Sequence, residues 1–558
     1  MKKVSTIIIL SLIAMTSYAQ TAYDALMFSE NNYEGTARSV AMGNAFTALG
    51  GDLGAITINP AGSAVAGYSQ FTITPSLTFS TNTAKGVPPP TDGTLTYFQK
   101  AMKSNLTSFS IPNLGVTYTW ETGRKNGLKK VTFGFVANQT NSWSENVYAN
   151  GTNATTSFMG ALASAATIVT DPNTGDILSG YWADELSSLN AYENPQIPWR
   201  LVTGYQSGMI STFGGYDGQY VGASEVVYET TDKNGVKYDI VVGGPLDQTY
   251  GRRVDGAKNE YTFNLGGNIS DMVYVGINLG ISSINYTYEE YFTEKAVDPK
   301  DFAINLDNGQ NMYFHQMKYK YSYQADGMGV FGKFGVIVTP MTGLRLGAAI
   351  QTPTVTSMTE TWAEDGQTDF SLESYSAYSP YVEADYRLRS PMRANFGAAY
   401  TFGGLGLVSV DYEMVDYGQM KYDTNNDDRE YFEMINQDIR SRFGTSHMLR
   451  AGFEIKPIPA FAIRGGYGLA TSAERIDPWG YAIDKPQMTH SASFGLGFSS
   501  KGSFFADAAV QARFLQNEYF MPYEHYILNA NGRVDEYSPE IENKRSLIKA
   551  FLTIGWRF

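Results

Sequence analysis

The chain has 558 residues, with 41 Lys and Arg against 55 Asp and Glu, a formal net charge of −14 at pH 7; only 17% of residues are charged, while 39 Tyr and 31 Phe help bring aromatics to 14% and there are 56 Gly. It has no cysteine, which excludes disulfides, thiolate metal sites, iron–sulfur ligation, covalently attached haem, a cysteine nucleophile and a lipid-modified N-terminal cysteine. An acidic chain without basic blocks is also unsuited to nucleic acid, because phosphate contacts need clustered Lys and Arg. A Tyr-, Phe- and Gly-rich, charge-poor composition instead suits a β-rich wall facing lipid.

Residues 1–19 read as a secretory signal. Lys2 and Lys3 form the charged start and Val4 to Met15 the apolar segment; Ser17 and Ala19 are the small residues of a cleavage site, with a mature start near Gln20. The apolar run is shorter than the roughly 20 residues a spanning helix needs. The protein is therefore expected to leave the cytoplasm, which in a diderm bacterium leaves the periplasm, the outer membrane or the outside. Residues 20–67 do not alternate and are rich in Gly and Ala, which let backbones approach one another inside a lumen.

From residue 68 the pattern becomes alternation over ten or so residues, as in transmembrane β-strands. Fourteen strands are expected: 68–80, 107–120, 128–142, 258–269, 273–292, 312–338, 344–363, 381–400, 405–420, 446–456, 460–472, 488–498, 503–516 and 546–558. The last is the clearest. Ile548, Ala550, Leu552, Ile554, Trp556 and Phe558 fall on one face, with Lys549, Thr553, Gly555 and Arg557 on the other. Short Gly, Pro and Asp connections alternate with long polar ones, which separates this pattern from a soluble β-sandwich. The longest connection, 143–257, is too long to lack structure. Ser157–Ile168 and Tyr181–Asn190 look weakly helical, and Asn234-Gly235 centres a hairpin on a type I′ turn. A second hairpin centres on Asn531-Gly532. The fold class is therefore all-β: a transmembrane antiparallel barrel of about 14 strands (68–558), with an N-terminal hatch (20–67) plugging its lumen.

The segment Gly35-Thr-Ala-Arg-Ser-Val-Ala-Met-Gly43-Asn-Ala45-Phe46, followed by Gly51-Asp52 and Asn59-Pro60-Ala61-Gly62, resembles the N-terminal hatch of FadL/TodX-type outer membrane transport proteins. Lys333–Pro340 with Leu344–Gly347, Pro391–Tyr400, Val410–Tyr412, and Leu449–Phe453 with Arg464–Tyr467 are similar to the same family. The resemblance implies a fourteen-stranded barrel that carries hydrophobic molecules such as long-chain fatty acids or aromatic hydrocarbons. The ligand would enter through the outer loops, reach an apolar lumen pocket and leave sideways through a distorted strand. Asn59, Pro60 and Ala61 would end the hatch near the first strand. Pro112, which lacks an N–H, either interrupts the second strand's ladder or starts a strand or turn. The long 143–257 loop departs from the family, so no outer-groove residue is carried over.

Alternation places Arg345, Arg393, Arg450, Arg464 and Arg513 on lumen faces, with Asp411, Glu413, Glu454 and Asp507 on neighbouring strands. Their expected role is a charged network bracing the hatch, with Asp52 as a candidate partner; ordinary polar lining of a wet lumen is the plainer alternative. Trp556 and Phe558 resemble the terminal signal read by the outer-membrane assembly machinery. His315, His447, His490 and His525 lack metal spacing and a nucleophile partner, so no enzyme, metal or cofactor is expected. Asp423–Asp428 resembles the start of a calcium loop but lacks its central Gly and final Glu. The reading is an outer-membrane channel for passive uptake of a hydrophobic small molecule, in contact with outer-membrane lipid and lipopolysaccharide. The alternatives are a non-transporting barrel serving as shuttle or scaffold in a protein-secretion assembly, or a haem-binding receptor.

Overall fold

Alternating side chains build a wall of fourteen antiparallel strands closed on itself. The structure, a computed structural model, describes residues 20–88, 97–170, 174–213, 216–232, 235–306, 308–424, 429–476, 480–528, 534–536 and 538–558. The expected signal segment, Asn234, the Asn531-Gly532 turn and most of Asp423–Asp428 lie outside these residues.

The wall strands are β1 (Gln70–Gly86), β2 (Met102–Glu121), β3 (Leu128–Asn153), β4 (Leu246–Ile269), β5 (Val273–Ala296), β6 (Asn311–Met341), β7 (Leu344–Gln351 and Val355–Phe370), β8 (Val382–Arg389 and Arg393–Thr401), β9 (Gly406–Asp416), β10 (Thr445–Ile458), β11 (Phe461–Thr471), β12 (Met488–Ser499), β13 (Phe504–Phe514) and β14 (Ile541–Arg557). Each pairs antiparallel with the next, and β1 pairs with β14 from Gln70↔Arg557 to Gly86↔Ile541, which closes the cylinder. Closure pairs the outermost edges, as lipid requires of a spanning sheet. Several strands run further than the sequence pattern suggests. β3 continues to Asn153 and β4 starts at Leu246, so the long connection spans 154–245 rather than 143–257. β7 and β8 are each split, at residues 352–354 and 390–392, where Pro353 and Pro391 cannot donate to the ladder.

The outer face is apolar. On β9, Val408, Val410 and Met414 point out while Leu407, Ser409, Asp411 and Glu413 are buried. At the short-turn end aromatic rings form a girdle, with Phe461 against Phe498 at 5.4 Å and Phe504 against Trp556 at 5.7 Å. One short turn, Ser270-Asp271, has both residues at positive φ (57° and 58°), the geometry of the hairpin turns whose twist matches the strands. Among the described residues no helix is long and apolar enough to cross a membrane.

Residues 20–67 lie inside the barrel as α1 (Ala22–Ser29), α2 (Ala37–Ala41), a 3₁₀ turn (Gly54–Thr57) and α3 (Gly62–Ala66). At the long-loop end, the connection 154–245 folds into a cap with α4 (Phe158–Ala166), α5 (Ala183–Ser187), α6 (Trp199–Gln206) and a hairpin of Glu225–Asp232 with Gly235–Val242. Phe158 of α4 packs against Phe292, Tyr319 and Tyr523, so the cap is seated on the strand ends. A helix that the alternation did not announce, α7 (Arg429–Arg442), buries Phe432, Ile435 and Ile439 against the N-terminal segment.

The seam makes one expectation direct. Deleting Trp556 to Phe558 removes the Trp556↔Phe71 and Arg557↔Gln70 pairs and the girdle contact to Phe504. The folded band in heat-modifiable gel migration should then be lost, and wild-type levels of it would contradict the role given to this terminus.

Candidate functional site

The hatch has little regular structure, so its backbone groups need partners from the wall. Buried wall cations supply several. Lys258 Nζ donates to the Phe28 carbonyl at 2.9 Å, Arg345 Nη1 to Leu49 at 2.8 Å, Lys333 Nζ to Thr57 and Arg393 Nη2 to Ser29. Wall amides do the same: Asn278 donates to the Ile56 carbonyl at 2.9 Å and Asn264 to Pro60 at 3.0 Å. In the other direction the Asp411 carboxylate accepts the Thr47 N–H at 2.7 Å, and the Thr553 hydroxyl accepts the Ala37 N–H at 2.7 Å. Each contact satisfies a group that would otherwise be buried unpaired.

The hatch reaches these partners because wall glycines let it. A β-carbon on Gly266 (β4), Gly276 (β5), Gly335 (β6), Gly347 (β7), Gly397 (β8), Gly452 (β10), Gly466 (β11) or Gly495 (β12) would overlap hatch atoms between Ala41 and Ala64. Several of these glycines face one another across the ladder: Gly266↔Gly276↔Gly335, Gly347↔Gly397 and Gly452↔Gly466. On β9 the row is filled by Asp411.

The lumen charges named from the sequence fall into two clusters. In one, Glu413 is shared by Arg393 (3.2 Å) and Arg450, with Arg450 also over the Tyr33 ring at 5.1 Å. In the other, Glu454 takes Arg464 at 2.7 Å and the hatch residue Arg38 at 3.0 Å, and Arg464 extends to Asp507 at 2.5 Å. Arg38 was not singled out from the sequence, since a lone Arg in an irregular segment carries no periodicity. Asp52 forms no ion pair with the wall arginines. It accepts from the Thr36 hydroxyl at 2.6 Å and the Gly54 N–H at 2.9 Å, and burial raises it above the usual carboxylate range despite the pull of Arg38. Arg513 reaches the Asn32 side chain at 2.7 Å instead of a carboxylate. A further ion pair, Lys549 with Glu34, ties the hatch to β14.

The remaining hatch residues have local duties. Gly43 (φ +63°) turns the chain after α2, ahead of the fully buried Ala45 and Phe46. Gly35 lies against the Gly54 backbone. Asn59 Nδ2 donates to the Thr47 carbonyl at 2.6 Å, and its Oδ1 accepts the Ala61 N–H at 3.0 Å, so Asn59-Pro60-Ala61 is locked before α3. Gly62 is required by its close approach to Gly50 rather than by a special φ. Among the described residues no group of His, Asp and Glu is arranged to hold a metal ion. His447 and His490 each bond a tyrosine on the wall, Tyr412 at 2.7 Å and Tyr467 at 2.6 Å.

The wall is incomplete beside the hatch. β2 and β3 pair from Glu121↔Lys130 only as far as Asn113↔Asn138. Beyond that point residues 102–110 of β2 pair with β1 alone, and β3 pairs with β4 on one side while Gln139 bridges the hatch residue Glu34 on the other. The divergence starts where Ile111 and Pro112 of β2 bulge opposite Pro75 of β1. At the same level the hatch supplies two bonds to β3: Asn32 N–H to the Thr140 carbonyl (2.5 Å) and Glu34 N–H to Gln139 (2.9 Å). Across the gap the hydrogen bonds between the two strands run through serine side chains. Ser108 and Ser144 hydroxyls lie 3.1 Å apart, and Ser104 bonds the Asn146 carbonyl. On this stretch of β3, Arg545 of β14 donates to the Ser144 carbonyl at 2.9 Å.

Two cavities adjoin the hatch, both lined with charged groups. One of about 350 Å³ at the short-turn end is lined by Arg38, Asp52, Glu454, Arg464, Asp507 and Arg557; another of about 60 Å³ lies between Asn32, Arg450 and Arg513. The lumen above the hatch is filled by aromatic side chains of α1, α6, α7 and the wall.

The glycine rows predict a sharp asymmetry. Gly276→Val and Gly452→Val should each cost about 1–3 kcal/mol through overpacking and expose the hatch to limited proteolysis while the wall persists. Gly332→Ala, whose added carbon meets only the Thr352 methyl at 3.8 Å, should leave both unchanged.

No protein-family model matches the sequence, and no curated protein matches it. Among solved structures the chain is similar to a FadL homologue of Pseudomonas aeruginosa, at 11% identity and a TM-score of 0.48, over 94% of this chain and 99% of that one. It is also similar to the toluene transporter TbuX of Ralstonia pickettii (12%, TM-score 0.44, 95% and 100%) and to the toluene transporter TodX of Pseudomonas putida (11%, TM-score 0.45, 95% and 100%).

Proposed function

We propose that the protein is an outer-membrane channel for passive uptake of hydrophobic small molecules, of the long-chain fatty acid or aromatic-hydrocarbon class, with sideways exit through the wall. The observation that carries this reading is the missing ladder between β2 and β3. A closed barrel in lipid has every reason to complete its backbone bonds. Here they are replaced by serine hydroxyl contacts, which part at far less cost than a ladder. Phe109 and Ile111 give the outer side of this gap an apolar surface. The hatch, held by glycine contacts and wall cations, stays in place and blocks the straight path to the periplasm. A solute would descend from the loops through the aromatic upper lumen, where tyrosine and tryptophan rings can yield to it, and leave between β2 and β3.

A second reading rests on the cap. Ile177, Leu178, Trp182 and Leu189 are exposed there, Leu189 fully, which suits a docking platform in a protein-secretion assembly.

The chain contains no cysteine, so a pair introduced at Ser108→Cys and Ser144→Cys has only itself to react with. Oxidation should lock the gap and reduce uptake of labelled fatty acids or small aromatics, and reduction should restore it. Full uptake with the disulfide formed would sink the sideways exit. Equal uptake by wild type and a deletion strain, for every apolar solute tried, would remove the transport reading. Altered co-purifying outer-membrane or secreted proteins in that deletion would promote the docking platform instead.

A further inference from the structure

High in the lumen, where α1 meets β7 and β8, two carboxylates lie beside Gln20 and Thr21. Glu360 on β7 is fully buried; the Tyr386 hydroxyl donates to one of its oxygens and the Gln20 side-chain amide donates to the other at 2.7 Å. Asp24, in the first turn of α1, accepts from the Thr21 N–H at 2.8 Å and the Thr21 hydroxyl at 2.6 Å. Among the described residues neither carboxylate is ion-paired with a Lys or Arg. The facing groups from each packed element are tyrosines: Tyr286 of β5, Tyr323 of β6, Tyr386 of β8 and Tyr422 beyond β9. The Tyr323 hydroxyl, on a residue 7% exposed, faces Glu360 as well. A buried carboxylate without a cation is strongly disfavoured, so the arrangement lacks a positive charge.

The same place is built to grip one stretch of chain. Gln20 is 3% exposed, its carbonyl accepts from the Tyr431 hydroxyl at 2.9 Å, and the Thr21 carbonyl accepts from the Tyr422 hydroxyl at 3.0 Å. Tyr422 stacks on Phe432 of α7 at 5.6 Å and meets Tyr386 edge-on at 5.2 Å, which fixes the rings that present these hydroxyls. The occupant of this socket is thus residue 20 itself.

We propose that the socket is a receptor for the processed chain start, in which the α-ammonium of a chain beginning at Gln20 is the counter-ion of Glu360 and Asp24. Hydrolysis of the Ala19–Gln20 peptide bond consumes one water, leaves a carboxylate on Ala19 and converts a neutral amide nitrogen into an amine that takes up a proton. Before cleavage that nitrogen has no charge to offer; after it, the residue whose side-chain amide already meets Glu360 carries a cation. Removal of the leader then completes the electrostatics of the plug, and the hatch's upper end docks firmly only in the processed chain. The inference is independent of what, if anything, passes through the barrel.

The test uses full-length protein extracted from outer membranes in detergent. Intact mass should give a chain that starts at Gln20 with a free amine. A different start, or loss of ammonia by cyclisation of Gln20, overturns the proposal. Labelling of the α-amine by acetic anhydride at pH 8, read on the N-terminal peptide, should be about tenfold or more slower in the folded barrel than in the unfolded chain, because pairing keeps the amine protonated. Burial alone would also slow it, so Glu360→Gln is the discriminating variant: with the carboxylate gone, labelling should accelerate in a barrel whose heat-modifiable migration is unchanged. Should Glu360→Gln fail to fold, Asp24→Asn serves the same comparison. Equal rates in the folded and unfolded wild type, or no acceleration in the folded variant, overturn the counter-ion role.

Discussion

Close approach between two backbones governs this molecule. A plug with little regular structure can sit inside a β-barrel only if its polar groups come within bonding distance of the wall, and side chains on the wall stand in the way. Glycines on eight strands, seven of them facing another glycine across the ladder, remove that obstacle. Once contact is made, Lys258, Lys333, Arg345 and Arg393 point at hatch carbonyls, and Asp411 accepts a hatch N–H. The charged lumen follows from this arrangement. Its cations and carboxylates are spent on a peptide whose short helices leave many of its backbone groups without partners of their own, and the surplus charges pair among themselves through Glu413 and Glu454.

The division of the lumen follows from the same packing. Below, polar contacts and glycines fix the hatch at one height. Above, the filling is aromatic, with rings such as Tyr286, Tyr323 and Trp362 meeting through faces and edges that depend less on a single geometry than hydrogen bonds do. The lumen therefore has an aromatic upper part and a fixed floor, with β2 and β3 parting just above that floor.

Much of this was legible in the sequence. The fourteen strands came from period-two alternation, which is strong wherever one face meets lipid and the other a polar interior; on β14 Ile548, Leu552 and Trp556 indeed point out while Lys549 and Thr553 are buried. The inward placement of Arg393, Arg450 and Arg464 followed from the same parity. The pairing partners did not, because parity gives a face and not a neighbour: Asp52 bonds Thr36 within the hatch, and Glu454 found Arg38, which lies in a segment with no period. The glycine rows were visible as letters, in Leu346-Gly347, Phe396-Gly397 and Ala451-Gly452, but their meaning depends on register between strands. The splits in β7 and β8 had a signal in Pro353 and Pro391, which a reading tuned to long alternating runs passed over. Helix α7 hid in a polar loop, where the apolar stripe of Phe432, Ile435 and Ile439 has the spacing of a helix.

The uneven wall has a mechanical consequence. In a closed barrel the natural weak point is the line where first and last strands meet, since it forms last and joins the chain's two ends. Here that line is among the best knit: β1 and β14 run in register for most of their length. The weak line is displaced by one hairpin, to β2 and β3, whose upper halves are free edges. Strain on the cylinder, whether from a thin bilayer or a bulky solute, would concentrate there and not at the closure. The barrel can thus be tightly sealed as an object and still yield along one chosen line, and the hatch strand at Asn32–Glu34, bonded to β3 where β2 departs, marks the lower limit to which such a tear could run.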